Sequence, residues 1–224
     1  MLTNFASKPE RTSVTQLPDR QLMITLNDDI RRVESTSSET VSELWEADQF
    51  TLVIPALPGI ENHIEDNFEA WLDKVKDPIR KAKIAEISKA CNTTIVAGVD
   101  VSLQGRIDHF NLALEDQSNI NNLFRVVELG GTEFPYQADD GTCLVYTAKE
   151  IAQIYIAAQT LITTQTAYHN ALKMYVNFLE KAEDIVAVQY GMELPDPYKT
   201  ELAGKLAVAK KQMDAIMKNL ESAA

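Results

Sequence analysis

Cysteine is nearly missing from this chain. There are two, Cys91 and Cys143, and no CxxC pairing. They read as free thiols of a protein folded in a reducing cell, or as one disulfide; sequence leaves both open. Long hydrophobic runs are missing as well. No window of about 20 apolar residues is present to span a bilayer. The opening MLTNFASKPERTSV has no apolar core beside a basic start, so it does not read as a signal peptide. Positive charge is also short: 21 Lys and Arg stand against 33 Asp and Glu, a net charge of -12. Phosphate contacts need clustered Lys and Arg, which argues against a general nucleic-acid binder and against an anionic membrane surface as partner. RKAK at 80–83 is the one dense basic run, and it alternates with apolar residues on a predicted helix.

What is present is enough for a core. The chain has 224 residues, 45% of them hydrophobic, which allows one or two domains. Residues 1–20 are polar with two prolines and are expected to form a flexible arm. In QLMITLNDDIRRVES the alternation predicts a strand at 21–26 and another at 30–34, with Asn27, Asp28 and Asp29 turning between them. SELWEADQFTLVIPAL predicts strand at 42–46 and 50–55. Region 21–57 is thus a small antiparallel β unit with too few apolar residues to stand securely alone. Ile60, Ile64, Phe68, Trp71, Leu72 and Val75 fall at helical spacing. Asp77-Pro78 interrupts them, and a new helix starting at Pro78 runs to about 97, where Gly98 ends it. Region 58–97 is therefore a pair of linking helices.

Region 98–147 reads as a short helix plus a β-hairpin. VDVSLQGRIDHF is irregular or strand-like, LEDQSNINNLFRVVELG is helical, and EFPYQADDGTCLVYT is a hairpin turning at Asp139, Asp140 and Gly141. Thr147 and Glu150 form a capping-box pattern. Ile151, Ile154, Ala158, Leu161, Gln165, Tyr168, Leu172, Tyr175, Leu179, Ala182 and Val186 then follow at alternating three- and four-residue steps, a heptad seam that Gly191 closes. After MELPDPYK, with its two prolines, Leu202, Leu206, Ala209, Met213, Ile216 and Leu220 repeat the spacing. Region 148–222 is a long helical hairpin within one chain, or a bundle between subunits. The unequal helix lengths leave part of the longer seam without an internal partner. The fold class is mainly α with small β elements (α+β), ending in long antiparallel, coiled-coil-like helices.

The polar stretch HFNLALEDQSNINNLF invites a metal reading, but the spacing is poor. His109 precedes the helix, and Asn119 is a weak ligand beside Glu115. Asp116, Gln117 and Asn119 read instead as a structural polar seam. Asp116 and Asn119 are expected to hydrogen-bond the following hairpin or the segment at 99–108. His63 sits among carboxylates on what reads as a solvated helix face. His169, beside Tyr168, either bonds across helices or is exposed. There is no HExxH, no G-x-S-x-G elbow and no phosphate loop. Cys91 and Cys143 read as small core residues; Trp45 and Trp71 are candidates to line a binding surface, but each sits at an apolar phase and reads as core. No catalytic residue, metal or cofactor is expected, and the chain reads as a non-enzyme. Candidates for protein contact are Ile151, Ile154, Leu161, Tyr168, Leu172, Tyr175, Leu179, Leu202, Leu206, Met213, Ile216 and Leu220.

Three segments carry a resemblance: RKAKIAEISKACNTTIVAG, RIDHFNLALEDQSNINNL with Asp116, Gln117 and Asn119 before Ile120, and FPYQADDGTCLVYTAKEIAQI leading into a long helix. In this order and spacing, residues 80–222 resemble a domain-of-unknown-function family that recurs in tailed-bacteriophage tail and tail-fibre genes. GRIDHFNLA departs from the family's usual aromatic-and-Asp approach, and the helix after Tyr190 is an extension. The front, ITLNDDIRRVES with WEADQFTLVI and the helix through Trp71, is similar to leaders of small tail-region proteins in phages of Gram-positive hosts. The resemblance implies a structural protein of a tail, baseplate or fibre, found in the virion tail after synthesis in the host cytoplasm. It implies other tail proteins as partners, with no catalytic residues to carry over; the heptad seam, read as a bundle between subunits, implies self-association as a dimer or trimer. The alternatives are an assembly chaperone absent from the finished particle and, less favoured, a cell-wall-directed enzyme.

Overall fold

The structure, a computed structural model, describes residues 2–37, 40–139 and 141–223, without the side chains of 35–43 and 220–223. Its strands are β1 (Leu2–Phe5), β2 (Thr12–Leu17), β3 (Gln21–Ser37), β4 (Thr40–Pro55), β5 (Val99–Leu103), β6 (Arg106–Phe110), β7 (Glu133–Gln137) and β8 (Cys143–Thr147). Its helices are α1 (Ile60–Asp66), α2 (Phe68–Val96), α3 (Leu114–Glu128), α4 (Ala148–Phe178), α5 (Ala182–Ala187) and α6 (Tyr198–Ala223). The chain is mixed α and β, with an N-terminal four-stranded sheet and long C-terminal helices. It divides into two compact units. One comprises Met1–Ile84 and Val176–Val188, the other Ala85–Tyr175 and Gln189–Ala224.

In the first unit the sheet runs β1-β4-β3-β2, with every neighbouring pair antiparallel. Alternation along β3 and β4 puts Ile24, Leu26 and Phe50 on one face. There they form a core with Ile64, Phe68, Leu72 and Ala182 from the helices, so the sheet gains the cover that its own few apolar residues could not supply. The expected arm is corrected here. Residues 2–5 and 12–17 are edge strands, with Val14 packed on the core and the Asn27 amide bonded to the Arg11 carbonyl. The β-branched residues Thr12, Val14 and Thr15 favour that state once a neighbouring strand is available.

The expected turn at Asn27–Asp29 is also corrected: β3 runs straight through it as one long strand. The register shifts by one residue between Asp28 and Arg31, a bulge in which Asp29 takes a positive φ of 48°. The bulge leaves carboxylates where cations can meet them. Lys76, itself buried, donates to Asp28 at 2.8 Å, and Lys181 donates to Asp29 at 2.6 Å. The helix break moves too. It falls at Asn67, whose side chain caps the His63 carbonyl, whereas α2 continues through Pro78 with that residue exposed. A ring on the solvent side costs one hydrogen bond without disturbing the buried Leu72 and Ile87 on the opposite stripe. The long seam helix is likewise cut. α4 stops at Phe178 and α5 starts at Ala182, leaving the Leu179 carbonyl free to accept from Arg80. The expected seam residue Val186 is 60% exposed, while Ile185 beside it is buried.

The second unit packs two hairpins and α3 against the first half of α4. Val101, Leu103 and Phe110 from β5–β6, Ile120 and Val127 from α3, Phe134 and Tyr146 from β7–β8, and Ile151, Ile154 and Ala158 from α4 make one core. Gly98 closes α2 as expected, and no other residue fits there. Its φ is +83°, and a Cβ would lie 2.2 Å from the Phe110 carbonyl oxygen. The Thr147–Glu150 capping box forms: the Thr147 amide donates to the Glu150 carboxylate at 2.9 Å, and the Glu150 amide donates to the Thr147 hydroxyl at 3.3 Å. Of the turn expected at 139–141, Asp140 lies outside the described residues.

Candidate functional site

Polar groups in the second unit link the hairpins before any surface is built. Asp108 on β6 accepts from Arg106 at 2.9 Å and from the Tyr146 hydroxyl of β8 at 3.0 Å. Tyr146 is wholly buried, and burial together with the Asp108 carboxylate pushes its hydroxyl up to about 12, so it stays a donor. His109 lies between acceptors on both sides. Nδ1 is 2.6 Å from Asp100 of β5, and Nε2 is 2.8 Å from the Ala97 carbonyl and 3.5 Å from Asp139 beside the second hairpin. The hydrogen bond to Asp100, followed by those to Ala97 and the charge of Asp139, raises His109 above its ordinary value and favours the doubly protonated ring. Asp139 completes the clasp by accepting from the Asn111 amide at 2.8 Å and donating its own amide to the His109 carbonyl at 3.1 Å.

The predicted polar seam is placed differently in detail. Asp116 accepts from the Ala113 amide and Gln117 donates to the Leu112 carbonyl, so both bond the lead-in to their own helix rather than the hairpin. Asn119 is exposed. Short polar side chains in a first turn meet the nearest unpaired backbone groups, which lie just upstream. The hairpin-facing work that Asp116 and Asn119 were expected to do falls to Asp108, His109 and Asp139.

A second polar cluster holds the connection after α5. The Tyr168 hydroxyl donates to the Met192 carbonyl and accepts from the Gly191 amide, and Tyr190 donates to the Gln165 side chain at 2.7 Å. The Ser88 hydroxyl and His169 Nε2 are 2.9 Å apart, the cross-helix bond that was one of two readings for that histidine. Cys91 is a free, buried thiol that donates to the Gln165 carbonyl. Cys143 is free but exposed, contrary to the core reading: on β8 the inward positions fall to Leu144 and Tyr146. In the first unit His63 is exposed, with the indole of Trp71 donating to its Nδ1, and both tryptophans are half-buried.

The contact candidates divide sharply by burial. Ile151, Ile154 and Leu172 are fully buried inside the chain, so they are corrected from contact to core residues. Leu161 packs on the same core, and Leu179 is half-buried. Tyr175 lies 5.6 Å from the ring of Tyr198 at the start of α6. Along α6, Leu202, Leu206, Ala209, Met213 and Ile216 are all half-buried and none is buried; the Leu220 side chain lies outside the described residues. The first half of the α4 seam does not face α6, because the hairpins and α3 cover it. The opposite side of α4, with Ile156, Thr160, Thr163 and Thr164, meets Leu206, Ala209 and Met213 across a groove of about 410 Å³, with Lys210 and Asp214 at its edge. Reading apolar spacing alone misses that threonine face. A different signal marks it: between Glu150 and Lys173, α4 carries no Asp, Glu, Lys or Arg.

Among the described residues, no group of three His, Cys, Asp or Glu side chains is arranged to hold a metal ion. Among them, too, no helix is long and apolar enough to cross a membrane. No curated protein and no solved structure matches the chain. One family model does, the domain of unknown function DUF4376, over residues 78–190, which takes in α2 from Pro78 onward, β5–β6, α3, β7–β8, α4, α5 and the chain to Tyr190 and stops before α6. Covering half of the 224 residues, the match shows that the chain belongs to the DUF4376 family.

Proposed function

We propose that this protein is a structural component of a bacteriophage tail, baseplate or tail fibre, that it is not an enzyme, and that it acts through contacts with other tail proteins and with itself. The observation that carries contact as its mode is the open α4–α6 face. Apolar α6 residues are only half covered, and the α4 side opposite them has no charge. Interfaces lose charged residues at their centres in this way, whereas a water-facing helix does not need to. The polar clusters are consumed by internal bonds that hold hairpins and connections, as expected of a rigid contact module. Support for the tail setting is the resemblance of the ordered motifs in residues 80–222 to tail and tail-fibre genes.

Quantitative mass spectrometry on gradient-purified tailed particles and on the lysate that produced them tests this reading. The expected result is the chain at a fixed copy number per particle. Presence in the lysate bound to a tail protein, with absence from particles, would instead make it an assembly chaperone. Absence from both would overturn a tail role.

A further inference from the structure

We infer that the α4–α6 face is the seat of a second copy of this chain, whose own α6 lies antiparallel along the groove to give a two-fold dimer. This rests on the contact reading above and names the partner for it. Three observations carry it. The first is coverage: along α6 the stripe from Leu202 to Ile216 is half-buried throughout, so each of these apolar side chains keeps surface that a further partner can cover. The second is charge. The α4 wall of the groove presents threonines and Ile156, and the edge residues Lys210 and Asp214 neutralise each other at 3.4 Å, so the groove offers nothing to a strongly charged partner.

The third observation is size and self-complementarity. α6 has 26 residues, hence about 39 Å of length, and a strip two helices wide is roughly 800 Å² per partner, the half-interface of a standard stable complex. The stripe also reads the same in reverse. With a two-fold axis beside Lys211, Leu206 faces the partner's Ile216, and Ala209, the one small residue of the stripe, receives the partner's Met213. An isologous contact requires such a self-matching pattern. Lys211 itself is exposed on the far side of α6 and does not meet its copy head on.

The test uses the full chain with Cys143→Ser, so that single spin labels can be placed at Lys211→Cys or Glu201→Cys; Cys91 is buried. Light scattering is expected to give twice the chain mass. Pulsed electron-spin distances are expected to be longer from 201 than from 211, because the two partner labels at 201 are offset along the helix axis by twenty residues, about 30 Å, whereas those at 211 lie level with each other. Ala209→Glu and, on the other wall, Thr163→Glu are each expected to weaken dimerisation roughly tenfold or more, with helix content retained by circular dichroism. Lys211→Glu is expected to leave the dimer intact. A monomeric mass, equal distances from the two labels, or a dimer indifferent to both groove variants would overturn the inference. A monomer recovered from tail particles would sink self-association alone, and a dimer absent from particles would sink the tail role alone.

Discussion

Helices α4 and α6 carry the same three-and-four spacing of apolar residues and meet opposite fates. In α4 the seam closes into the core, with Ile151 and Ile154 each 1% exposed. In α6 no described side chain of the stripe, from Leu202 to Ile216, is buried. Periodicity declares that a helix has an apolar side; it does not declare what will cover that side. Cover is decided by what else the chain brings nearby. The two hairpins and α3 occupy the first half of the α4 seam, leaving α6 with a threonine face.

The comparison can be broken most directly by truncation of equivalent residues. Ile154→Ala should lower the unfolding free energy by about 2–5 kcal/mol, because it opens a cavity in a filled core. Urea denaturation will measure it, and a loss as small as that at α6 would abolish the contrast. A third helix sharpens it in the opposite direction. Pro78→Ala in α2 should raise stability by about 2 kcal/mol in the same assay, since an exposed ring in a continuous helix gives up a hydrogen bond for no packing return. No gain would mean that the helix bends around the proline to some advantage. Leu206→Ala on α6 should cost the single chain only about 1 kcal/mol when measured below the concentration at which it associates. Its larger effect should appear in the concentration dependence of the melting temperature.

The smallest effects concern two histidines held by the second unit. His109 is raised by Asp100, Ala97 and Asp139, so its stabilising contribution is complete below the ordinary value of 6.5 and fades as pH rises through its higher folded value. His169 is lowered, first by burial and then by Lys173, so its contribution is complete above 6.5 and fades as pH falls through its lower folded value. Imidazole NMR titration should place His109 above 6.5 and His169 below it. Reversal of that order would mean that the hairpin clasp and the helix bond do not form in solution as described.

Much of the architecture was legible because local signals were strong. The α3 pattern, the β7–β8 hairpin, the Thr147 capping box and the Gly98 stop each rest on a few adjacent residues. Where the reading failed, a distant partner outweighed a local preference. Asn27–Asp29 looks like a turn, but Lys76 and Lys181, far along the chain, make a bulge with acidic side chains favourable. Residues 2–17 look unstructured until β3 and β4 offer edges to them. Asp77-Pro78 looks like a break until one notices that the ring sits on the wet side. At the candidate site, the stripe on α6 was visible and the face opposite it was not, because threonines carry no apolar period. Its signal was a lack of charge, which only gains meaning once the fold shows which side of α4 is already occupied.

The contrast between the two thiols has a practical consequence. Cys143 stands in solvent on the outward side of its hairpin, whereas Cys91 is shut beneath the carbonyl of Gln165. A maleimide should therefore modify one sulfur at once and reach the other only when the helices around it part. Without any engineered label, the chain carries both an attachment point and a clock for its own breathing.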